Sequence, residues 1–208
     1  NGWVGLFKEY QELLGVPIDM NVIFTKLFQA ADKGDPDCGG LISYNYISGE
    51  PVTGFADGRP LFVRSATDKF NLANFMRSVL YATVGVLKIG NDILLKEENV
   101  KVDKITGHGG LFKVKGVGQS ILAAALNSPI SVMETAGEGG AWGIALLAAY
   151  MVNKKDLTLA DYLDYVVFAG NAGEEVQPDP KAVEGFNAYM ESYKACLGIE
   201  KAAVELKK

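Results

Sequence analysis

Apolar residues recur at helical spacing from the start of the chain: Trp3, Leu6, Phe7, Tyr10, Leu13 and Leu14 share one face, with Lys8, Glu9, Gln11 and Glu12 opposite. This predicts a helix over 2–14, ended by Gly15 to Pro17. Met20, Ile23, Phe24, Leu27, Phe28 and Ala31 predict a second helix, stopped by Lys33, Gly34 and the turn-rich Asp35 to Gly40. Leu41, Ile42, Tyr44, Tyr46 and Ile47 have strand composition, and Leu61 to Val63 is a shorter apolar piece across a loop with Gly and Pro. These read as neighbouring antiparallel strands. From Asn71 to about Leu95 the apolar positions Leu72, Phe75, Met76, Val79, Leu80, Thr83, Val84, Leu87 and Ile93 hold the helical period, which predicts a long central helix.

The second half changes pattern. Val102 to Ile105 reads as a strand, Gly107 to Gly110 as a turn and Val117 to Leu126 as a helix. Pro129 to Met133, Gly137 to Gly140 and Ala141 to Met151 then repeat the order strand, turn, helix. Such alternation predicts parallel strands with helical crossovers, here preceded by the antiparallel pair in one mixed α/β sheet. Thr158 and Asp161 have capping-box spacing at the head of a further helix, residues 170–179 read as a polar loop, and Pro180 sits at a helix start. Residues 201–208 read as a solvated tail.

Composition narrows the classes. With 208 residues and 49% hydrophobic content the chain can hold a core without disulfides or metal, and disorder is excluded. The net charge of −5 offers phosphate backbones no attraction, and the lysines form no stripe, so a nucleic-acid partner is not expected. Cys38 and Cys196 are the only cysteines and have no metal-ligand spacing, which points to a reducing, cytoplasmic setting. The apolar runs Ile121 to Leu126 and Ile144 to Tyr150 fall short of the roughly 18 residues of a membrane span, so no membrane partner is expected. The chain opens at Asn1 with an amphipathic pattern and no signal peptide, and it reads as a piece of a longer protein.

Two glycine clusters are where chemistry could sit. Gly107-His108-Gly109-Gly110 lies between a predicted strand and a predicted helix, where glycine lets backbone N–H groups approach an anion. It matches neither the Walker spacing nor the dinucleotide fingerprint, so it reads either as a nucleotide cradle or as a tight turn. Gly137-Glu138-Gly139-Gly140 has the same context, and two such turns at neighbouring strand ends would face one crevice. The small residues after Gly140 also fit plain close packing of helix on sheet. His108 is the only histidine and has no sequence partner for a dyad or a metal. The acids Asp32, Asp35, Asp37, Glu50, Asp57, Asp68 and Asp92 are not singled out by spacing, and Lys113 and Lys115 fit a phosphate contact or a solvated turn.

Three stretches together resemble the C-terminal domain of the FGGY family of carbohydrate kinases: Tyr44 to Gly58 (YNYISGEPVTGFADG), Thr106 to Ile130 (TGHGGLFKVKGVGQSILAAALNSPI) and Glu134 to Tyr150 (ETAGEGGAWGIALLAAY). The spacing after Gly109-Gly110-Leu111 is more similar to pentulose kinases of xylulokinase and ribulokinase type than to glycerol kinase. The resemblance implies a ribonuclease H-like, actin-like ATPase fold over 1–208 as one ATP-binding domain, with Mg²⁺ and ATP as cofactors and a small sugar as substrate. It places the catalytic base and most sugar contacts on the kinase's own N-terminal domain, which this chain lacks, so no catalytic and no metal residue is assigned here. Gly109 and Gly110 match the family's nucleotide loop, Gly107 precedes it on the same turn, and Val114 stands where some members place an Asn beside adenine. Pro51 replaces an Arg, and Ser120 and Ala124 replace a Gln and an Asp, of the family pattern. The first helix is expected near the adenine pocket through Gly2 and Gly5. These departures keep open an inactive sugar or nucleotide sensor, and the fold class keeps open an ATPase switch domain. A face left bare by the missing domain could pair two copies as a homodimer.

Overall fold

In the computed structural model, which describes residues 2–170 and 173–206, several helices start where a side chain accepts from their free N–H groups. After α1 (Gly2–Leu13), Asp19 accepts from the Asn21 and Val22 amides and opens α2 (Met20–Asp32). Asn71 accepts from the Asn74 amide at 2.9 Å and opens the long α3 (Leu72–Asp92). Between α2 and α3 run the antiparallel β1 (Ile42–Tyr44) and β2 (Leu61–Val63), with Ile42 opposite Val63. Then β3 (Ile105–Gly107), α4 (Val117–Leu126) and β4 (Ile130–Val132) form a parallel crossover that sets Gly107 beside Val132. The chain continues through α5 (Gly139–Asn153), α6 (Leu159–Tyr162), β5 (Glu174–Val176), α7 (Pro180–Ala195) and α8 (Leu197–Glu205).

The helix α3 is the hub, packing on α2, β1, α4 and α7. Among the described residues it alone is long and apolar enough to cross a membrane, if the turn after it is included (Leu72–Glu97). Its buried polar groups show why it is a core helix instead. Arg77 donates from Nε to Ala31 O at 3.0 Å and from Nη2 to Asp32 O, capping the last carbonyls of α2 with a cation. Ser78 Oγ meets Ser43 Oγ of β1 at 2.9 Å, and Asn74 Oδ1 accepts from the Asp35 amide at 2.7 Å.

A box of tyrosines closes the core on the other side. Tyr44 OH donates to Tyr193 O, Tyr193 OH to Tyr46 OH and Tyr189 OH to Ser43 O. The rings of Tyr81 and Phe186 lie 4.7 Å apart, joining α3 to α7. Burial pushes the phenols of Tyr44, Tyr81, Tyr189 and Tyr193 above their ordinary range, so they remain protonated donors.

The α/β class and the order of elements agree with the sequence pattern, but the sheet does not. The strands form two sheets, the pair β1–β2 and a separate mixed sheet in the order β3–β4–β5. The third strand, β5, comes from the expected polar loop 170–179 and runs antiparallel to β4. The expected strand over Val102 to Ile105 begins at Ile105, with Val102 exposed. The central helix ends at Asp92 and passes into a wider π turn (Ile93–Glu97), and α6 does the same over Leu163–Val167. Residues 201–205, expected in a solvated tail, continue α8; residues 207 and 208 lie outside the described residues.

Helix α8 is held by a buried acid. Glu200 is fully buried, its Oε1 accepts from the Arg59 amide at 2.7 Å, and its Oε2 has no partner among the described residues. Arg59 Nη2 reaches on to Leu206 O. Burial pushes the Glu200 carboxyl up, more than the Arg59 amide draws it down. A raised folded-state pKa means that the group's contribution is fully present below the ordinary carboxylate range and is lost as the pH rises through the folded value. Thermal unfolding over a pH series tests this. Glu200→Gln keeps the acceptor and should raise the midpoint at neutral pH while matching the parent at about pH 4. Glu200→Ala removes the acceptor of the part-buried Arg59 amide, and should cost about 1 kcal/mol at neutral pH.

Candidate functional site

Two parallel strands joined by a helix leave their carboxyl ends side by side, and the segments that follow them define a crevice. After β3 the chain makes the Gly107 to Gly110 turn and a short 3-10 turn (Gly110–Phe112); after β4 it makes another (Glu134–Glu138) and enters α5. The two turns are tied directly, since the Gly109 N–H donates to Ala136 O at 2.7 Å. Gly109 sits at φ 105°, ψ −176°, a backbone region open in practice to glycine alone. Gly107 is fixed by space instead: a Cβ there would stand 2.3 Å from Cζ of Phe112.

A cavity of about 500 Å³ opens beside these turns, between residues 112–116, the end of β4 and the start of β5. Val114 lies on its wall, with Val132 and Met133 adding apolar surface. Its rim is charged: Lys113, Lys115, Glu134 and Glu174 line it, and Lys115 Nζ lies 2.8 Å from Glu174 Oε2. The hydrogen bond that the Lys115 ammonium donates to the Glu174 carboxylate holds its pKa above the usual range. Gln119 forms part of the floor. It is almost fully buried, and its Nε2 donates to Ile130 O of β4 and to Glu174 O of β5, both at 2.7 Å. One amide therefore fixes α4 against both strands at the site.

The expected site residues separate. Val114 lines the larger cavity, and Gly107 lines a smaller apolar one of about 300 Å³ on the other side of the turn. Gly109 and Gly110 line neither and form the turn between them. Gly2 and Gly5 are also on neither wall, because α1 packs on α2 and sets Trp3 against Phe75 at 5.0 Å. The exposed His108 ring lies against α5, where a Cβ on Gly139 would stand 3.2 Å from its Nδ1. The Glu138 side chain is outside the described part.

The acids of the first half have structural tasks away from the cavity. Hydrogen bonds from Asn74 and Lys69 hold the Asp35 carboxyl below its ordinary range, and those from Ser65 do the same for Asp68. For Asp92 burial pushes the carboxyl up, but bonds from Lys88 and Lys96 outweigh it. Asp37 and Glu50 cap short turns. Among the described residues no three groups converge as metal ligands. The sequence reading missed Gln119 and the Gly173–Glu174 wall. The one available signal was a glutamine set in the apolar run Val117 to Leu126. β5 is too short and acidic to show as a strand.

The crevice lies at the carboxyl ends of parallel strands, the place where open α/β sheets take their ligands. The chain belongs to the FGGY family of carbohydrate kinases, whose C-terminal domain model matches residues 1–152. Its fold is similar to that of xylulose kinase from Rhodospirillum rubrum (TM-score 0.61, 18% identity, covering 89% of this chain and 35% of that one). It is similar also to a ligand-bound xylulose kinase from Lactobacillus acidophilus (TM-score 0.62, 21% identity, 86% and 34%). Glycerol kinase from Plasmodium falciparum with ADP matches at TM-score 0.60 and 16% identity, over 98% of this chain and 38% of that one. The chain thus spans about a third of the length of the solved kinases it matches. No curated protein matches it in sequence.

The turn makes a graded prediction for thermal denaturation. Gly107→Ala must displace the Phe112 ring and Gly109→Ala must accept left-handed backbone, each costing about 1–3 kcal/mol. Gly110→Ala meets open space at an unstrained φ and should leave stability within about 0.5 kcal/mol.

Proposed function

We propose that this chain is the ATP-binding half of a carbohydrate kinase that moves the γ-phosphoryl group of ATP to a sugar hydroxyl. The reading is carried by one coincidence: the residues that match the family's C-terminal domain include the two glycine turns and most of the crevice wall. Val114 offers an apolar surface to a base, and the Lys113 and Lys115 ammonium groups stand at the mouth where phosphates would lie. The Gly109 N–H is spent on Ala136 O, so its part is to hold the turn open rather than to bind phosphate. Gly110 adds no Cβ to the approach.

Phosphoryl transfer depends mainly on positioning and on charge neutralisation. The described residues offer Mg²⁺ no cage, since they bring no three ligands together and Glu174 is paired with Lys115. The ion would therefore arrive on the nucleotide, held by water and by acids outside this chain. The base that takes the proton of the acceptor hydroxyl also lies outside it, on the kinase's N-terminal domain, and closure of that domain on the crevice excludes water. We read the sugar as a pentulose such as xylulose or ribulose, supported by the xylulose kinases among the fold relatives and by the spacing after Leu111. The protein is read as cytoplasmic.

A second reading, an inactive member that senses sugar or nucleotide, draws on Val114 and Pro51. Pro51 begins a short turn capped by Glu50, where the family pattern has an Arg.

Calorimetric titration of the full-length protein with Mg·ADP tests the assignment. Binding at one site, weakened at least about tenfold (about 1.4 kcal/mol) by Val114→Arg, is the expected result. Turnover of ATP should then require D-xylulose or L-ribulose. Absence of ADP binding overturns the proposal, ADP binding without turnover on any sugar supports the sensor, and sugar-independent hydrolysis supports an ATPase switch.

A further inference from the structure

One ion pair crosses the mouth of the larger cavity. Lys115 stands on the segment that leaves the first glycine turn, Glu174 opens β5 on the facing wall, and their side chains meet at 2.8 Å from Nζ to Oε2. The acid is carried on a fixed strand. Glu174 sits opposite Val132 in the antiparallel register, its carbonyl accepts from the buried Gln119 amide at 2.7 Å, and Gly173 before it packs so closely on β4 that a Cβ there would stand 3.0 Å from Val132 O. Strand alternation separates the two glutamates of β5. Glu174 faces the cavity, whereas Glu175 turns to the other side, where its Oε2 accepts from Ser131 Oγ at 3.4 Å and its Oε1 from Gln177 Nε2 at 2.7 Å.

The two lysines of the rim are placed differently. Lys113 lays its stem along the second glycine turn, where a Cβ on Gly137 would stand 3.2 Å from its Cγ, and Lys115 is drawn across the mouth to Glu174. Glu134 adds its negative field to the same Lys115 ammonium. The pair is open to solvent, with the Lys115 side chain 82% and the Glu174 side chain 59% exposed, so it is weak and a ligand reaches it without opening the fold. Glu174 also lies beyond residues 1–152, so this carboxylate is a part of the cavity that the family match does not cover.

We propose that Glu174 is an internal competitor for the phosphate groups of the ligand: its carboxylate holds Lys115 until a polyphosphate enters, gives the ammonium up to it, and takes it back as the ligand leaves. Such a pair is exchanged rather than added to. A phosphate gains the lysine only by displacing a carboxylate that then repels it, so Glu174 lowers the affinity for charged ligands and leaves an uncharged nucleoside unaffected. The proposal rests on the kinase reading for the nature of the anion.

Calorimetric titration of the full-length protein with Mg·ADP, pyrophosphate and adenosine tests it. Glu174→Gln keeps the strand and its carbonyl bond to Gln119, and should tighten Mg·ADP and pyrophosphate about fivefold while leaving adenosine unchanged. Glu175→Gln makes the same change of charge on the other face of β5 and should leave all three ligands unchanged. In a Lys115→Gln background the gain from Glu174→Gln should fall below about twofold, since no ammonium is left to release. Unchanged or weaker anion binding in Glu174→Gln overturns the proposal. An equal gain from Glu175→Gln or in the Lys115→Gln background also overturns it, because the effect is then one of net charge alone. Equal tightening of adenosine overturns it as well, because a reshaped cavity acts on every ligand alike. The probes separate the two readings: ADP bound equally by parent and Glu174→Gln overturns the competitor alone, pyrophosphate tightened by Glu174→Gln with ADP bound by neither protein overturns the nucleotide reading alone, and neither anion bound overturns both.

Discussion

The fold depends on one constraint, that an apolar helix of twenty-one residues must bury polar groups and still satisfy them. Asn74, Arg77 and Ser78 of α3 all lie in the core, and each is spent on a different neighbour: the Asp35 amide, the last carbonyls of α2, and Ser43 of β1. An unpaired buried polar group costs about 1–3 kcal/mol, so these three bonds specify where α2 and β1 can sit as firmly as the apolar packing does. The tyrosines of β1 and α7 extend the same logic across the other face, where Tyr44 and Tyr193 bond over a long sequence separation. α4 then packs on α3 and α7, which fixes the crossover that carries the site.

The crevice inherits its geometry from that crossover rather than from any one glycine. Gln119 ties α4 to β4 and β5 with two short bonds, and the Gly109 amide ties the first turn to the second. Gly107 lets the Phe112 ring close over the strand end, and this separates a polar-rimmed cavity from an apolar one. The two cavities differ in kind. One is bounded by Val114 and a charged rim, the other by apolar residues of α5 and the end of β3.

Much of this was legible along the chain because local signals were strong. The periodicity of α3 from Asn71, the Thr158 cap, the helix start at Pro180 and the strand–turn–helix order of the second half each rest on near neighbours in sequence. The family motifs gave the class of protein, since they record spacing and need no geometry. What the pattern could not supply were features whose cause is distant. β5 is two glutamates and a valine, and it is a strand only because β4 offers an open edge. The split of the strands into two sheets is likewise a property of the packed chain and not of strand composition. Residues 201–205 stay helical because Glu200 finds the Arg59 amide far back in the chain.

The site shows the same division. The sequence by itself determined that glycine turns would end two parallel strands, because strand, turn and helix propensities are local; Val114 was pointed to by the family resemblance alone. Only the tertiary structure decided that Val114 and Gly107 face different cavities, that Gly109 spends its amide on the neighbouring turn, and that Gln119 holds the floor. Each of these depends on which groups the packed helices bring within hydrogen-bond reach, and that is set by the whole core at once.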